Sequence, residues 1–322
     1  MSSSLSAPDV PKTMGALLIG GFFAAVLSGT VILQTLLYLT TYKSDPAGVK
    51  VLVLGVWGLD TLHSAFIWAA MWEYLIGNYG NAVKIDYIPW SISLTVILTA
   101  IVTFSVHCFF AHRIFLLSKR NWLMASPVVI LALVRLVSAS VSTWEMLHYK
   151  SFVLFKLHAY WIFTLGLSVS SAVDILITVF LCYLFQSSRP DSGTINYVID
   201  KLMLYAFETG SLTCIGTIAS MICWVTMSDN LIFLGLHFVI GKLYANSLLV
   251  TLNTRQNIRR AHSTSSGERG PVLFLETRPQ QKSSSRNYFA GPSNKGPTEL
   301  HISVQTSVQY DSESIEAKER RA

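Results

Sequence analysis

The run HFVIGKLYANSLLVTL, from His237 to Leu252, is apolar enough to sit in lipid, yet it places Lys242 near its middle. An ammonium group at that depth has no water, and a charge within an apolar span faces a bundle interior or a wet cavity. The candidates for such a place are Asp60, Arg135, Asp174, Glu208 and Lys242. Arg135 and Glu208 lie toward the ends of their runs, where a long side chain can reach outward to water. Asp60, Asp174 and Lys242 lie closest to the middle. Helical steps of four and seven put Gly235, Lys242, Asn246 and Asn253 on one face. The same spacing groups Gly166, Ser170 and Asp174, and groups Trp57, Asp60 and Ser64, with His63 alongside. Asp60 is therefore expected as the partner of Lys242, with Asp174 as the second choice, because the second and seventh helices are neighbours in the usual seven-helix ring. Such a pair has two open uses. It can fix helix register as a structural ion pair, or it can serve as a proton or ligand site.

More specific chemistry finds little support in the residue pattern. A retinal Schiff base needs the lysine that is present, but the third apolar run has no acid, and Phe238 stands four residues before Lys242. Zinc hydrolysis needs about three converging ligands; His63, His107 and His237 fall at different depths, and the same scatter argues against haem. No phosphate-binding loop, G-x-S-x-G or H-E-x-x-H motif occurs. The four cysteines (Cys108, Cys182, Cys214 and Cys223) all lie in apolar runs and form neither a disulfide framework nor a zinc spacing. The chain is read as non-enzymatic, with no cofactor and no metal.

The elements that position these residues are spans. The chain has 322 residues, 52% hydrophobic and only 13% charged, with mean hydropathy +0.47, against about 25% charged in a soluble domain. Seven stretches reach the ~20 residues that cross a ~30 Å hydrocarbon core as helices: Met14–Tyr38, Val51–Ile76, Ile88–Ala111, Trp122–Val141, His158–Phe185, Met203–Thr226 and Leu231–Leu252. The period-two alternation of a barrel is absent. The expected fold is an all-α polytopic membrane protein, with a short N-terminus over 1–13 and a seven-helix domain over 14–253. Pro89 is placed just inside the start of the third helix, and Thr194 is a helix-start candidate that would extend the sixth helix beyond its span. Gly21, Ala25 and Gly29, four apart in the first run, allow close helix approach.

Charge in the connections sets an orientation. One alternating set holds four basic residues, Lys12, Lys84, Lys150 and Lys156. The other holds ten: Lys43, Lys50, Arg113, Lys119, Arg120, Arg189, Lys201, Arg255, Arg259 and Arg260. The basic side is cytoplasmic, which puts the N-terminus outside. Trp68, Trp72, Trp90, Trp144, Trp161 and Trp224 then lie toward the outer side, as an interfacial belt or as the rim of an outward pocket. Residues 254–322, rich in Ser, Gln, Arg, Gly and Pro, read as a disordered cytoplasmic tail. Arg255, Arg259 and Arg260 form a basic, lipid-facing edge at its start, followed by Ser263, Ser265 and Ser266, whose phosphorylation would weaken contact with anionic lipid. The net charge of +6 is accounted for by loops and tail, with no basic patch interleaved with aromatics of the kind that binds nucleic acid.

The segments GALLIGGFFAAVLSG, VLGVWGLDTLHSAF, IPWSISLTVILTAIVTFSVHCFFAHRIF, SAVDILITVFLCYLF and ICWVTMSDNLIFLGLHFVIGKLYANSLLVTLNTR resemble a large fungal family of seven-span membrane proteins. It is common in mushroom-forming fungi and known as a domain of unknown function. The likeness covers about residues 14 to 260. It implies the seven-span architecture and that Asp60, His63, Asp174, Lys242, Tyr244 and Asn246 belong to the family's pattern, and it supplies no activity.

The expected function is that of a receptor-like seven-helix sensor, more in keeping with the plasma membrane than an internal one. Its partners would be the bilayer, a small-molecule ligand and a cytoplasmic protein that reads the tail. The alternatives are a small proton-linked carrier and a non-catalytic membrane scaffold. A carrier would favour repeats or broken helices, and neither is evident.

Overall fold

A computed structural model describes residues 11–188, 193–227 and 230–265. The seven long helices are α1 (Ala16–Thr41), α2 (Ala47–Trp72), α3 (Trp90–Leu117), α4 (Trp122–Tyr149), α5 (Phe152–Ser187), α6 (Gly193–Thr226) and α7 (Ile232–Ser265). Each carries a stretch long and apolar enough to cross a membrane. The helices and the absence of any extended sheet among the described residues fit an integral membrane protein, since a helix satisfies its own backbone in lipid. One short turn of π-helix precedes α1, another follows α2, and a 3₁₀ turn over Ala82–Ile85 leads toward α3.

Most helices outrun the bounds that hydropathy sets, because helix propensity does not stop where apolar character does. α5 begins at Phe152 rather than near His158, with the Ser151 hydroxyl capping the backbone N–H of Leu154. α4 starts behind Asn121, whose side chain accepts from Leu123 N. Pro89 is the residue before α3, not inside it, in extended conformation. α6 starts at Gly193, next to the expected Thr194, and precedes its span, which opens at Ile199. α7 runs on to Ser265, so residues 254–265, expected to be disordered, continue the helix. Arg, Gln and Ala are adequate helix formers once a preceding helix supplies the nucleus. The remainder of the expected tail, including Ser266, lies outside the described residues.

The helices form a ring in chain order that closes through α1 against α7, with α3 and α7 also touching across the middle. These two are the most enclosed, with 61% and 72% of their spans buried. At one end of the bundle the α2–α3 and α4–α5 connections are stitched together. Asp86 accepts from the Ser151 hydroxyl (2.5 Å) and from Val153 N (2.9 Å), and Ile88 N donates to Lys150 O (2.9 Å).

The interior has three layers. One apolar cluster fills the end where α1 begins, from Leu17 and Ala24 to Ile67, Ala100, Leu167 and Phe238. A second fills the opposite end, from Val31 and Val56 to Val102, Val173, Tyr244 and Leu252. Between them on almost every helix sit buried polar residues: Ser28, Asp60, His63, Thr99, Arg135, Ser170 and Lys242. Aromatic side chains follow a different division. Trp68, Trp72, Trp90, Trp144 and Trp161 are exposed on the perimeter, as an interfacial belt requires. Trp224 is not part of it. It is buried against Phe155, Phe163 and Phe233 and donates its indole N–H to the Thr164 hydroxyl at 3.0 Å.

The backbone crossing of α1 with α7 is not at the expected Gly21–Ala25–Gly29 line. It is one residue over, where Gly20 of α1 meets Gly235 of α7. A methyl group at Gly20 would lie 2.5 Å from Gly235 Cα and from its carbonyl oxygen, whereas one at Gly29 would meet nothing within 4 Å. Backbone cannot yield as a flexible side chain does. Gly20→Ala is therefore expected to cost about 3 kcal/mol, the upper end for overpacking, while Gly29→Ala is expected to be neutral or slightly stabilising. Thermal unfolding of the two variants in the same detergent checks this, and equal melting temperatures would remove the α1–α7 crossing as a tight contact.

Candidate functional site

Lys242 is wholly buried, and its ammonium group meets three acceptors. It lies 2.9 Å from Asp60 Oδ1, and it donates to the Asp60 carbonyl oxygen at 2.7 Å and to Ser64 Oγ at 2.7 Å. An ammonium has three N–H donors, so each finds a partner and none is left for a ligand. The other carboxylate oxygen of Asp60 accepts from Ser28 Oγ at 2.5 Å, and Ser28 and Ser64 hydroxyls are 3.2 Å apart. α1, α2 and α7 are thereby joined in a single network. Asn246, one turn beyond Lys242, extends it. Its amide donates to Lys242 O (2.9 Å) and Leu27 O (3.1 Å), and its carbonyl oxygen accepts from Thr30 Oγ1 (2.6 Å).

Asp174 is not a partner of Lys242. It belongs to a second network built from α3, α5 and α7. The Tyr244 hydroxyl donates to Asp174 Oδ2 at 2.7 Å and stands 3.0 Å from Ser170 Oγ, while His107 Nε2 is 3.2 Å from Asp174 Oδ1. The His107 and Tyr244 rings meet edge to face at 5.4 Å. Beside this group lies a narrow crevice of about 20 Å³, walled by Thr178 of α5, by Thr209 and Thr213 of α6, and by Ser247 of α7. That volume holds about one water molecule. Lys242 occupies position 242 and Tyr244 position 244, a rotation of about 200° around a helix. The two therefore face opposite sides of α7, one acid each, and the two acids cannot both reach Lys242.

His63 follows the first network without joining it, with Nε2 3.1 Å from Thr99 Oγ1 of α3. His237 is fully buried, and neither of its ring nitrogens has a protein partner. The histidines thus stay apart, and among the described residues no group of three metal-ligating side chains converges. Arg135 corrects an expectation: it does not reach outward. It is 5% exposed, turned into the bundle beside Gly166, where a methyl group would lie 3.3 Å from its Nη1. It makes no ion pair among the described residues and lies within electrostatic range of Asp174. Glu208, by contrast, is exposed on the outer face of α6.

The basic edge also differs from expectation. Arg255 turns back onto the bundle, pairing with Asp45 Oδ2 at 2.5 Å and stacking over the Tyr42 ring at 4.6 Å. Asp45 also accepts from the Tyr38 hydroxyl at 2.9 Å. A carboxylate and a ring within reach draw the guanidinium away from lipid. Arg259 and Arg260 lie on the extension of α7, and their side chains are outside the described residues.

Comparison with known proteins bears on one part of this arrangement. Residues 170–257 match a family of unknown function, DUF6534. No curated protein and no solved structure matches the chain. The DUF6534 stretch begins at Ser170 and contains Asp174, Lys242, Tyr244 and Asn246, but neither Asp60 nor His107. Both networks therefore join residues of the DUF6534 stretch to residues that precede it.

Ser28 completes the first network without having stood out in the sequence; Ser64 was expected on the Asp60 face, and His107, weighed there only as a metal ligand, completes the second. Ser28 had one usable signal: it lies on the Ala24–Ser28–Val31 face of α1, whose other members are small or β-branched. Breaking the pair at one end strands a buried charge and typically costs 3–5 kcal/mol. Lys242→Met and Asp60→Asn should each lose about that much stability in detergent. The double variant should recover most of it, and Asp174→Asn should not rescue Lys242→Met. Additive losses in the Lys242–Asp60 double-mutant cycle would show that the pair does not couple.

Proposed function

We propose that the chain is a receptor-like seven-helix sensor, in which α6 moves against a seam of α1, α2 and α7 held by Lys242. The observation that carries this reading is unequal burial. Of the most apolar window of each span, 22% is buried in α6, against 28% in α2 and 72% in α7. The ties of α6 to the bundle include the neutral hydrogen bonds Thr217 to Ser171 (2.9 Å), Trp224 to Thr164 (3.0 Å), Ser220 to Phe233 O (3.1 Å) and Ser168 to Met221 Sδ (3.1 Å). α6 also borders the Asp174 crevice through Thr209 and Thr213. A largely outward-facing helix beside a polar crevice is the kind of two-state element a ligand can bias. In this reading the protein lies in the plasma membrane, with its N-terminus outside and its C-terminus in the cytosol, the arrangement that loop charge supports. Its partners are the bilayer, a small-molecule ligand and a cytoplasmic protein at the tail. It performs no catalysis and binds no nucleic acid. The fungal origin of the proteins that the sequence resembles belongs to this proposal as well.

A proton-linked carrier is the second reading, favoured by the contact of Asp174 with an imidazole and a phenol next to space for water. A scaffold is the third. Spin labels at Leu62→Cys on α2 and Leu212→Cys on α6, both exposed, distinguish the three in a background whose four native cysteines are replaced. The sensor predicts two α2–α6 distances differing by about 5 Å, the scale of a one-turn helix shift. Their ratio should change in Asp174→Asn, while a Leu33→Cys and Leu62→Cys pair across α1–α2 keeps one distance. One narrow α2–α6 distance under all conditions would favour the scaffold. Proton flux into proteoliposomes that vanishes in Asp174→Asn would favour the carrier. The orientation is tested separately: a glycan acceptor introduced near residue 5 should be modified in cells, and an unmodified site together with a tag after Leu300 that is reachable on intact cells would reverse it.

A further inference from the structure

A groove of about 510 Å³ lies at the end of the bundle where α3 and α7 leave their spans. It follows α3 from Phe104 to Leu117, roughly 20 Å at 1.5 Å per residue, and its other apolar walls include Val49 and Leu52 of α2, Phe185 of α5, Leu202 of α6 and Leu252 of α7. Phe104, Ser105, Cys108 and Phe109 are only partly buried, so the groove opens sideways, toward the acyl phase. Two guanidinium groups, those of Arg113 and Arg255, lie at its far end. Arg255 is neutralised by Asp45. Arg113 has no acidic partner among the described residues. It rests over the Phe185 ring at 5.2 Å and lies within electrostatic reach of Arg255.

We propose that this groove binds one anionic phospholipid, its phosphate on Arg113 and an acyl chain laid along α3 toward Phe104. Depth and charge select this occupant together. Arg255 lies three residues beyond the apolar run Leu231–Leu252, and Arg113 lies two residues beyond the run Ile88–Ala111 and four before the end of α3, which is headgroup level. Phe104 lies about 14 Å deeper, where a water-soluble anion or a cytosolic peptide has no solvent. Arg113, without an acidic partner among the described residues, calls for one anion, and the apolar length calls for a chain attached to it. The site stands apart from the Asp174 crevice and does not depend on the sensor reading.

The test uses the full chain purified in mild detergent, offered phosphatidylglycerol, phosphatidylcholine or glycerol phosphate, with retained lipid counted by native mass spectrometry. Phosphatidylglycerol should remain at one per chain and phosphatidylcholine should not. Arg113→Gln should lower retention about fivefold, the effect of one basic residue near an anionic lipid. Cys108→Trp fills the apolar wall without changing charge and should lower it by at least as much, while Arg259→Gln leaves it within a factor of two. Should Arg113→Gln fail to fold, Ser105→Trp joins Cys108→Trp in carrying the test. Equal retention of phosphatidylcholine would overturn the proposal. So would phosphatidylglycerol binding unchanged by Cys108→Trp, which would reduce the effect to surface charge, or displacement by equimolar glycerol phosphate, which would make the ligand a soluble anion.

Discussion

A lysine ammonium in a hydrocarbon-depth interior is tolerable only when each of its donors is met, and this requirement organises the first, second and seventh helices. Lys242 needs Asp60 for charge, and it needs the Asp60 carbonyl and Ser64 Oγ for its remaining donors. Asp60 in turn needs a second donor, which only α1 can bring, through Ser28. For Ser28 to arrive, α1 must lie close to α7, and the Gly20–Gly235 crossing permits that approach. The amide of Asn246 then ties the same two helices one turn further along. Each step follows from leaving no charge or donor unmatched where water cannot match it.

The two buried acids show how position on a helix assigns different roles to the same side chain. Asp60 faces a saturated cation and sits in a network with no vacant donor. Asp174 faces neutral or titratable groups, His107 and Tyr244, next to a crevice with room for a water. The first arrangement resists change, because moving any member strands a full charge. The second holds its carboxylate through neutral donors, and exchanging one of them costs a hydrogen bond to a charged group, about 1.5–3 kcal/mol, less than stranding the ion pair. Arg135, buried and unpaired nearby, adds a positive field to that side. The side of α7 that carries Tyr244 is thus the more easily rearranged, and the side that carries Lys242 the more rigid.

Much of this was legible in the sequence because the bilayer narrows the choices. Seven apolar runs of spanning length dictate seven helices, and the depth and facing of Asp60 and Lys242 pointed to their contact. What was not legible depended on neighbours across helices. Hydropathy cannot say that Arg135 turns inward, because a long side chain near a span end has two satisfactory destinations and only Gly166 makes room for one of them. Composition cannot say that Trp224 leaves the aromatic belt for a cluster with Phe155 and Phe163. Nor can it say that Arg255 folds back onto Asp45 and Tyr42, a contact set by the loop after α1. The glycine line on α1 was read one residue off for a similar reason: spacing marks a face able to approach, and the partner helix decides which face does.

The networks also bear on what the DUF6534 stretch can be. Residues 170–257 hold the last part of α5, all of α6 and most of α7. Taken alone, that segment would carry Lys242 without Asp60, Ser64 or Ser28, and Asp174 without His107. α7 would also lose α1 and α3, the helices that cover two of its sides. A buried ammonium with none of its acceptors costs more than a helix pair gains from packing in lipid, where association has no hydrophobic drive. In this chain the stretch is therefore a part of a fold and not a fold in itself, because the acceptors of Lys242 come from other helices. α2 and α1 supply that set, which couples the stability of the matched segment to the two helices that begin the bundle.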